Sequence, residues 1–165
     1  MICLIVARSR NNVIGKDGTM PWHIPGELSQ FLSLTTGNTV IMGRRTYEAI
    51  GHPLKDRTNI IVSSSLQINQ KDCFTVSSLQ QAIEKSPAGK DICIAGGAQL
   101  YKEAIPIVDV MYITEVDVLI EDGDTFFPSF DPDNFKKEIL ETEGDTIRYT
   151  RTVYTRKENL TYGSK

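Results

Sequence analysis

The chain of 165 residues has little of what several classes of protein require. It contains only three cysteines, Cys3, Cys73 and Cys93, and two histidines, His23 and His52. An odd number of widely spaced cysteines is not a disulfide framework and favours buried, reduced thiols. With so few histidines, the sequence offers neither zinc-ligand spacing nor a histidine-based catalytic triad, and we expect no metal site.

Long apolar runs and an excess of positive charge are also missing. The apolar run near the start, Ile2–Ala7, is far too short for a membrane span or the core of a signal peptide. The formal net charge of −3, without any Lys- and Arg-rich run, argues against a nucleic-acid partner. We therefore expect a cytoplasmic monomer that binds neither nucleic acid nor a membrane.

No repeat, low-complexity tract or linker divides the sequence. Hydrophobic residues make up 40% of the chain and charged residues 24%, which is typical of one globular domain. We expect residues 1–157 to form this domain and residues 158–165 to be a frayed tail.

Strand-like and helix-like stretches alternate along the chain. Apolar and β-branched runs predict strands at Ile2–Ala7, Thr39–Met42, Asn59–Ser63, Phe74–Val76, Asp91–Ala95 and Val110–Val116. Helices are predicted at Pro25–Leu34, at Thr46–Ile50, from Ser78 to about Lys85, and at Ala98–Ala104. Two late stretches, Phe135–Thr142 and Ile147–Thr155, predict a C-terminal antiparallel strand pair. The fold class is therefore α/β, with a mostly parallel central sheet between two layers of helices.

Glycines and polar residues collect where the predicted strands end, and ligands bind at that edge of a parallel sheet. Gly43-Arg44-Arg45-Thr46 combines a strand end, a helix start and two arginines, which suits phosphate, although surface arginines are often only solvated. A second junction, Gly96-Gly97 before Ala98-Gln99-Leu100, suggests the other end of a pyrophosphate. A ribose 2′-hydroxyl is usually bound by an acidic residue at a strand end. The residues that follow the two predicted strands are instead Arg44 and Ser63-Ser64. NADPH is therefore the favoured dinucleotide, with ordinary loop polarity as the alternative explanation of the serines.

Glu27 is an acidic residue in a mainly apolar and aromatic neighbourhood. In the predicted helix it lies four residues before Phe31, at the edge of a core-facing stripe that includes Leu28. A carboxylate facing a core is costly unless it is paired, which suits a functional acid. The alternative is a first-turn glutamate that complements the helix dipole while its carboxylate reaches water.

A glycine-containing loop, Ile14–Pro21, precedes this helix and ends beside two large side chains, Met20 and Trp22. The surrounding sequence VIGKDGTMPWHIPGELSQF, together with IMGRRTYEAIG and IAGGAQLY, resembles dihydrofolate reductase of the short bacterial single-chain type. The similarity runs from Ile2 to about Tyr154. It implies reduction of 7,8-dihydrofolate to 5,6,7,8-tetrahydrofolate with NADPH, which supplies one-carbon metabolism and thymidylate and purine synthesis. It also implies binding of folate analogues, including diaminopyrimidine and pteridine antifolates.

The resemblance further implies roles for individual residues. Glu27 would accept hydrogen bonds from the pterin, while Met20 and Trp22 would close the site and Thr114 would back the carboxylate. Arg57, which taken alone could be a solvated turn residue, would bind the α-carboxylate of the folate glutamate. The substrate contacts beside Glu27 would be Ile5, Ala7, Leu28, Phe31, Ile50, Leu54, Arg57 and Ala95, for several of which core packing is the alternative. The cofactor contacts would be Ala7, Ile14, Gly43, Arg44, Arg45, Thr46, Ser63, Ser64, Ala95, Gly96, Gly97, Ala98, Gln99 and Leu100.

Three residues depart from the family pattern, namely Ala49, where a hydroxyl residue is usual, Gln30 and Gln99. They affect the expected affinity and inhibitor response rather than the expected reaction. Two other functions remain open at this point. One is a nicotinamide reductase of the riboflavin pathway with the same fold, which would have no reason to combine Glu27 with Arg57. The other is a non-catalytic NADP-binding domain.

Overall fold

The computed structural model describes residues 1–17, 20–22, 27–144 and 147–157, without the side chains of Glu27 and Leu28. The expected tail, residues 158–165, lies outside the described residues, as does Pro25 at the predicted start of the first helix. In the described part the α-helices are α1 (Glu27–Thr35), α2 (Arg44–Ile50), α3 (Leu79–Lys85) and α4 (Ala98–Ala104). A short 3₁₀ helix follows at Pro132–Asn134.

The strands of the described residues are, in chain order, β1 (Ile2–Ser9), β2 (Val13–Gly15), β3 (Thr39–Gly43), β4 (Thr58–Val62), β5 (Asn69–Gln70), β6 (Cys73–Val76), β7 (Ile92–Ile94), β8 (Val110–Val116), β9 (Thr125–Phe126), β10 (Phe135–Glu143) and β11 (Tyr149–Arg156). Nine of them form one sheet in the order β10-β11-β8-β1-β7-β3-β4-β6-β5, and β2 pairs with β9. The six strands from β8 to β6 in this order run parallel, whereas β11, β10 and β5 are antiparallel to their neighbours. The predicted mostly parallel sheet and the C-terminal antiparallel pair are therefore both confirmed.

Helices cover both faces of the sheet, because its central strands are apolar on both sides. On one face, Phe31 and Leu32 of α1 and Tyr47 and Ile50 of α2 pack against Val40, Met42 and Ile61 of the sheet. On the other face, α3 and α4 contribute buried side chains to the largest cluster, among them Leu79, Ala82, Leu100 and Tyr101. This arrangement is the expected three-layer architecture.

Two differences between the predicted and the observed element boundaries affect the residues of the site. The predicted loop Ile14–Pro21 is wrong at its start, because Ile14 and Gly15 belong to β2 and pair with β9. The helix predicted from Thr46 begins at Arg44, immediately after Gly43, so both arginines lie in its first turn. The predicted helix starting near Ser78 is confirmed, and the Ser78 hydroxyl accepts a hydrogen bond from the Gln81 N–H at its N-terminus.

Candidate functional site

The carboxyl ends of the central parallel strands all lie on one side of the sheet, and most of the predicted site residues lie there. We call this side the edge that carries the site. Ala7 of β1 is in register with Thr114 of β8, and both residues are buried. Ala95 follows directly after β7, and its N–H donates to Ile41 of β3 over 2.9 Å. The sheet therefore brings Ala7, Ala95 and Thr114 to the side where the parallel strands end.

The two glycine junctions contact each other directly. The Gly43 N–H donates a hydrogen bond to the Gly96 carbonyl over 2.8 Å. A Cβ atom on Gly43 would lie 3.8 Å from the Gly96 oxygen and the Gly97 nitrogen, and one on Gly97 would lie 3.8 Å from Thr46 Oγ1. The Gly96–Gly97 peptide bond is cis. Because glycines carry no side chain of their own, a ligand can approach this backbone closely.

Helices α2 and α4 begin directly beyond the two junctions. Gly43 and Gly97 are their N-cap residues, and among the described residues no side chain caps either first turn. Backbone N–H groups at such helix starts, together with the dipole, favour an anionic ligand. Ala98 lies in the first turn of α4 beside this backbone. The combined surface of the two junctions is suited to phosphate groups.

The residues predicted to bind the 2′-phosphate differ in the contacts that they make with the rest of the protein. Arg44 is exposed and forms an ion pair with Glu48 one helical turn later, with 3.4 Å between Nη1 and the carboxylate. Arg45 and Ser64 are exposed. The Ser63 hydroxyl accepts hydrogen bonds from the N–H groups of Ser65 and Leu66, so it also orders the turn after β4.

The predicted apolar wall is assembled from three separate elements. Phe31 of α1, Ile50 of α2 and Leu54 of the following turn pack on the same buried cluster, which Ala95 also contacts. Phe31 in addition contacts the neighbouring cluster that contains Ile5. These side chains therefore lie together, next to the strand ends, although they are widely spaced in the sequence.

Arg57 is held against the end of α1. Its Nε donates to Thr35 Oγ1 over 2.8 Å, and its Nη2 donates to the Leu32 carbonyl and to Thr36 Oγ1. Its Nη1 donates to the Lys55 carbonyl. The possibility that Arg57 is simply a solvated turn residue does not fit these contacts.

Trp22 packs beside the ends of β1 and β8. It is only 8% exposed and packs with Ala7, Val116 and Tyr149. Among the described residues, no hydrogen-bond acceptor contacts its buried Nε1. Met20, two residues earlier, is 56% exposed.

Glu27 is the first residue of α1, and Leu28 follows it. The structure describes their backbone only, so the expected side-chain roles of both residues remain predictions.

The side chains of three predicted cofactor residues contact other parts of the protein. Leu100 is buried in the main core beneath α4, and Ile14 packs against the same core. The Gln99 side chain donates to Glu103 of its own helix over 3.2 Å and is exposed. Their side chains thus make protein contacts, which leaves the backbone of Gln99 and Leu100 as the part that faces the glycine junction.

Tyr101 is a site residue that the sequence did not single out. Its hydroxyl donates to the Ile5 carbonyl over 2.7 Å, and burial raises the pKa of this phenol. A Cβ atom on Gly96 would lie only 3.0 Å from the same hydroxyl oxygen. Tyr101 therefore joins β1 to the second glycine junction. The motif IAGGAQLY contained this residue, but the motif alone carried no signal for the partner on β1.

The described residues contain no group of three or more His, Cys, Asp or Glu side chains placed to hold a metal ion. No helix in the described ranges is long and apolar enough to cross a membrane.

Comparisons with known proteins agree with this geometry. The family model described as dihydrofolate reductase matches residues 1–156. Dihydrofolate reductase from Bacillus subtilis is 36% identical over 167 residues, covering 99% of each chain. The Haemophilus influenzae enzyme of the same name is 42% identical over 138 residues, covering 84% of this chain and 85% of that protein.

A solved structure is similar as well. Dihydrofolate reductase from Enterococcus faecalis, complexed with NADP(H) and RAB-propyl, superimposes with a TM-score of 0.81 at 32% identity. The superposition covers 96% of this chain and 97% of that one. The match along nearly the whole sequence and the superposition on this structure lead to one conclusion: the chain belongs to the dihydrofolate reductase family.

Proposed function

We propose that the chain reduces 7,8-dihydrofolate to 5,6,7,8-tetrahydrofolate with NADPH, and thereby maintains the reduced folate pool. The observation that carries this proposal is the contact between the two glycine junctions in a chain that matches the family from residue 1 to residue 156. A dinucleotide pyrophosphate needs backbone that it can approach without side chains in the way. NADPH, when bound, supplies the hydride that C6 of the substrate accepts.

The residues around the junctions suit the phosphates of NADPH. Gly43, Gly96 and Gly97 offer bare backbone, and the first turns of α2 and α4 offer N–H groups. We propose that Arg44, Arg45, Thr46, Ser63 and Ser64 bind the phosphates, with Arg44 and the serines at the 2′-phosphate. Ile14, Ala7, Ala95, Ala98, Gln99 and Leu100 complete the proposed cofactor contacts.

The substrate is proposed to lie between α1 and the strand ends. Its pterin would contact Ile5, Ala7 and Ala95, and its aminobenzoyl ring would lie against Leu28, Phe31, Ile50 and Leu54. Apolar walls with a few polar groups are typical of small-molecule sites. Arg57 supplies a planar guanidinium at the far end of this wall, which suits the α-carboxylate of the glutamate.

The proton chemistry is assigned to Glu27 and the residues near it. Glu27 would accept hydrogen bonds from N3 and the 2-amino group of the pterin, which orients the ring and favours the form protonated at N5. Trp22 Nε1 is a buried donor without a partner among the described residues, and such a group suits a ligand atom or a water. Thr114, which is buried, would support the Glu27 carboxylate, and Met20 would exclude water from the site.

The finer expectations about partners and location are also proposals. We propose that the chain is a monomer that binds dihydrofolate and diaminopyrimidine or pteridine antifolates. The three cysteines are free and buried, which fits the reducing conditions of the cytoplasm. The family match over residues 1–156 supports a single domain over residues 1–157.

The reaction is tested by following NADPH absorbance with and without dihydrofolate. We expect Glu27→Gln to lower turnover by roughly a hundredfold or more, the scale of a lost acid–base group. The loss should shrink at low pH, where more substrate arrives already protonated. Glu84→Gln, at an exposed glutamate of α3, is the matched control and should turn over normally.

Other outcomes identify other functions. NADPH binding without oxidation would indicate a non-catalytic domain. Oxidation that depends on a riboflavin-pathway substrate, and not on dihydrofolate, would indicate the related reductase. Near-normal turnover of Glu27→Gln at neutral pH would return Glu27 to a helix-dipole role.

A further inference from the structure

The guanidinium of Arg57 is already engaged on one of its sides by the end of α1. Nε donates to Thr35 Oγ1 over 2.8 Å, and Nη2 donates to the Leu32 carbonyl over 2.8 Å and to Thr36 Oγ1 over 2.9 Å. The hydroxyls of Thr35 and Thr36 in turn donate to the Phe31 and Leu32 carbonyls. The helix end thus presents an ordered set of acceptors to this arginine.

The two acceptors of Nη2 are unusually close to each other. Thr36 Oγ1 lies 2.6 Å from the Leu32 oxygen, which is shorter than the distance from either atom to Nη2. The angle between the two acceptor atoms at Nη2 is therefore smaller than the angle between the two N–H bonds of Nη2. One N–H of Nη2 can serve both acceptors, in a three-centre hydrogen bond.

This arrangement determines which N–H groups remain for a ligand. A guanidinium carries five N–H groups in a planar fork. Nε–H and the adjacent N–H of Nη2 face the helix end, and one N–H of Nη1 donates to the Lys55 carbonyl. Among the described residues, no further acceptor is bonded to this guanidinium. We assign the Lys55 contact to the N–H of Nη1 that points away from Nη2, so that one N–H of Nη1 and one of Nη2, side by side at the tip of the fork, remain for a carboxylate.

We propose that Thr36, together with Thr35, is a positioning residue that fixes the rotation of the Arg57 guanidinium, so that the tip of its fork receives the α-carboxylate of the substrate. This inference rests on the proposed function, because the carboxylate is that of the folate glutamate. Fixing the donor before the ligand arrives lowers the entropic cost of forming a bidentate contact.

The turn that carries Arg57 is fixed from the other side. Asn59, a buried amide, accepts from the Leu54 N–H and donates to the Leu54 and Asp72 carbonyls. The Gly37 N–H donates to the Asp56 carbonyl over 2.8 Å and ties this turn to the residues after α1. With both the turn and the helix end held, the hydroxyls of Thr35 and Thr36 fix the orientation of the side chain together with the Leu32 and Lys55 carbonyls.

The two threonines differ in how safely they can be changed. Thr35 is fully buried, so its substitution would also disturb packing, whereas Thr36 is exposed. Thr36→Val removes the hydroxyl while keeping the shape of the side chain, and Thr36→Ser restores the hydroxyl. Thr142→Val is the matched control, because Thr142 is an exposed threonine on β10, at the opposite edge of the sheet, whose hydroxyl pairs with Thr150.

The decisive experiment compares two substrates, 7,8-dihydrofolate and a 7,8-dihydropterin that lacks the glutamate. For Thr36→Val we expect KM for dihydrofolate to rise about threefold to tenfold, the change in affinity that follows the loss of one hydrogen bond. We expect kcat, and both constants for the tail-less substrate, to stay at wild-type values. Thr36→Ser should restore KM, and Thr142→Val should leave it unchanged.

A second variant tests whether the effect passes through Arg57. In an Arg57→Lys background the planar fork is absent, so adding Thr36→Val should raise KM for dihydrofolate no further.

Each other result overturns the positioning role. An equal loss on both substrates would make Thr36 a support of the helix end alone. An unchanged or lowered KM for dihydrofolate would mean that the hydroxyl does not orient the fork, or competes with the ligand for it. A wild-type chain that oxidises NADPH with neither substrate would instead refute the proposed function, and is distinguished by the wild-type assay itself.

Discussion

Arg44 is the residue that we propose determines whether the chain prefers NADPH or NADH. Its guanidinium is exposed and, in the part of the chain that the structure describes, is paired with Glu48 on the same helix. An exposed i,i+4 ion pair of this kind contributes little to the stability of the fold, so the Arg44 side chain can turn to a phosphate at a small cost in free energy. A 2′-phosphate near Arg44 would gain a charge-assisted hydrogen bond that NADH cannot form.

We therefore expect Arg44→Ala to weaken NADPH binding by at least about tenfold and to leave NADH binding nearly unchanged, since a hydrogen bond to a charged group is worth about 1.5–3 kcal/mol. Titration of both dinucleotides against each variant measures the two dissociation constants. Lys85→Ala, at an exposed lysine in the last turn of α3, controls for the change in net charge. Equal losses for NADPH and NADH would assign Arg44 to the pyrophosphate or to the helix start.

At the scale of single residues, the sequence was informative where the chemistry is local. A glycine at a strand end followed by arginines is recognisable as a phosphate site because all of its parts are adjacent in the chain. The environment of Arg57 could not be predicted in the same way. Its partners Leu32, Thr35 and Thr36 lie more than twenty residues earlier, and only the packing of α1 beside the turn brings them together.

Among the elements, the small sheet formed by β2 and β9 lies at the start of the segment that leads to Met20. The Asp17 N–H donates to Asp124 Oδ2 over 2.8 Å, and the Asp124 N–H donates to the Gly15 carbonyl. The Asp17 N–H and the Thr125 hydroxyl hold the pKa of the Asp124 carboxyl below its usual range. The start of the Met20 segment is thus tied to the turn before β9.

Gly123 of this turn lies against Val13 of β2. A Cβ atom on it would fall 2.4 Å from Val13 Cγ1 and 3.0 Å from Val13 Cβ, and Val13 is fully buried. Because the Val13 side chain has no space to move into, we expect Gly123→Ala to push β2 and β9 apart. The expected loss is about 1–3 kcal/mol in the free energy of unfolding, as for other overpacked sites. Urea denaturation measures it.

Glu121→Ala, an exposed position in the same turn, serves as the control for this substitution and should unfold like the wild type. A Gly123→Ala variant as stable as the control would mean that the turn can move away from Val13 at little cost. The β2–β9 sheet would then be too compliant to orient the Met20 segment.

The sequence predicted the long elements well and the short ones poorly. β1 and β8 were predicted because they are seven or eight residues long and almost continuously buried. β2, β5 and β9 have two or three residues each and exist through pairing with distant segments, which no local pattern shows. The start of α2 at Arg44 was missed because the arginines gave no helix signal of their own, whereas Gly43 provides its N-cap.

For the whole molecule, alternation of strands and helices was sufficient to predict the three layers and the edge of the sheet that carries the site. It could not predict the strand order, in which β1 lies between β7 and β8. That order matters for function, because it places the ends of β1, β7 and β3 side by side and so brings Ala7, Ala95 and Gly43 to one surface. The neighbouring position of these strand ends is what lets one dinucleotide contact all of them.

A ligand that spans these strand ends should stabilise the entire fold, because unfolding must release it. At a concentration one hundred times its dissociation constant, a ligand that binds only the native state adds about 2.7 kcal/mol to the free energy of unfolding. For a chain of this length each kcal/mol raises Tm by about 2–4 °C, so saturating NADPH should raise Tm by about 5–10 °C. Thermal unfolding followed by circular dichroism measures this shift, and NADH at the same concentration should produce a smaller one. Arg44→Ala should remove most of the difference between the two dinucleotides while keeping the shift that both share. Equal shifts for NADPH and NADH in the wild-type chain would contradict the assignment of a 2′-phosphate site beside Arg44.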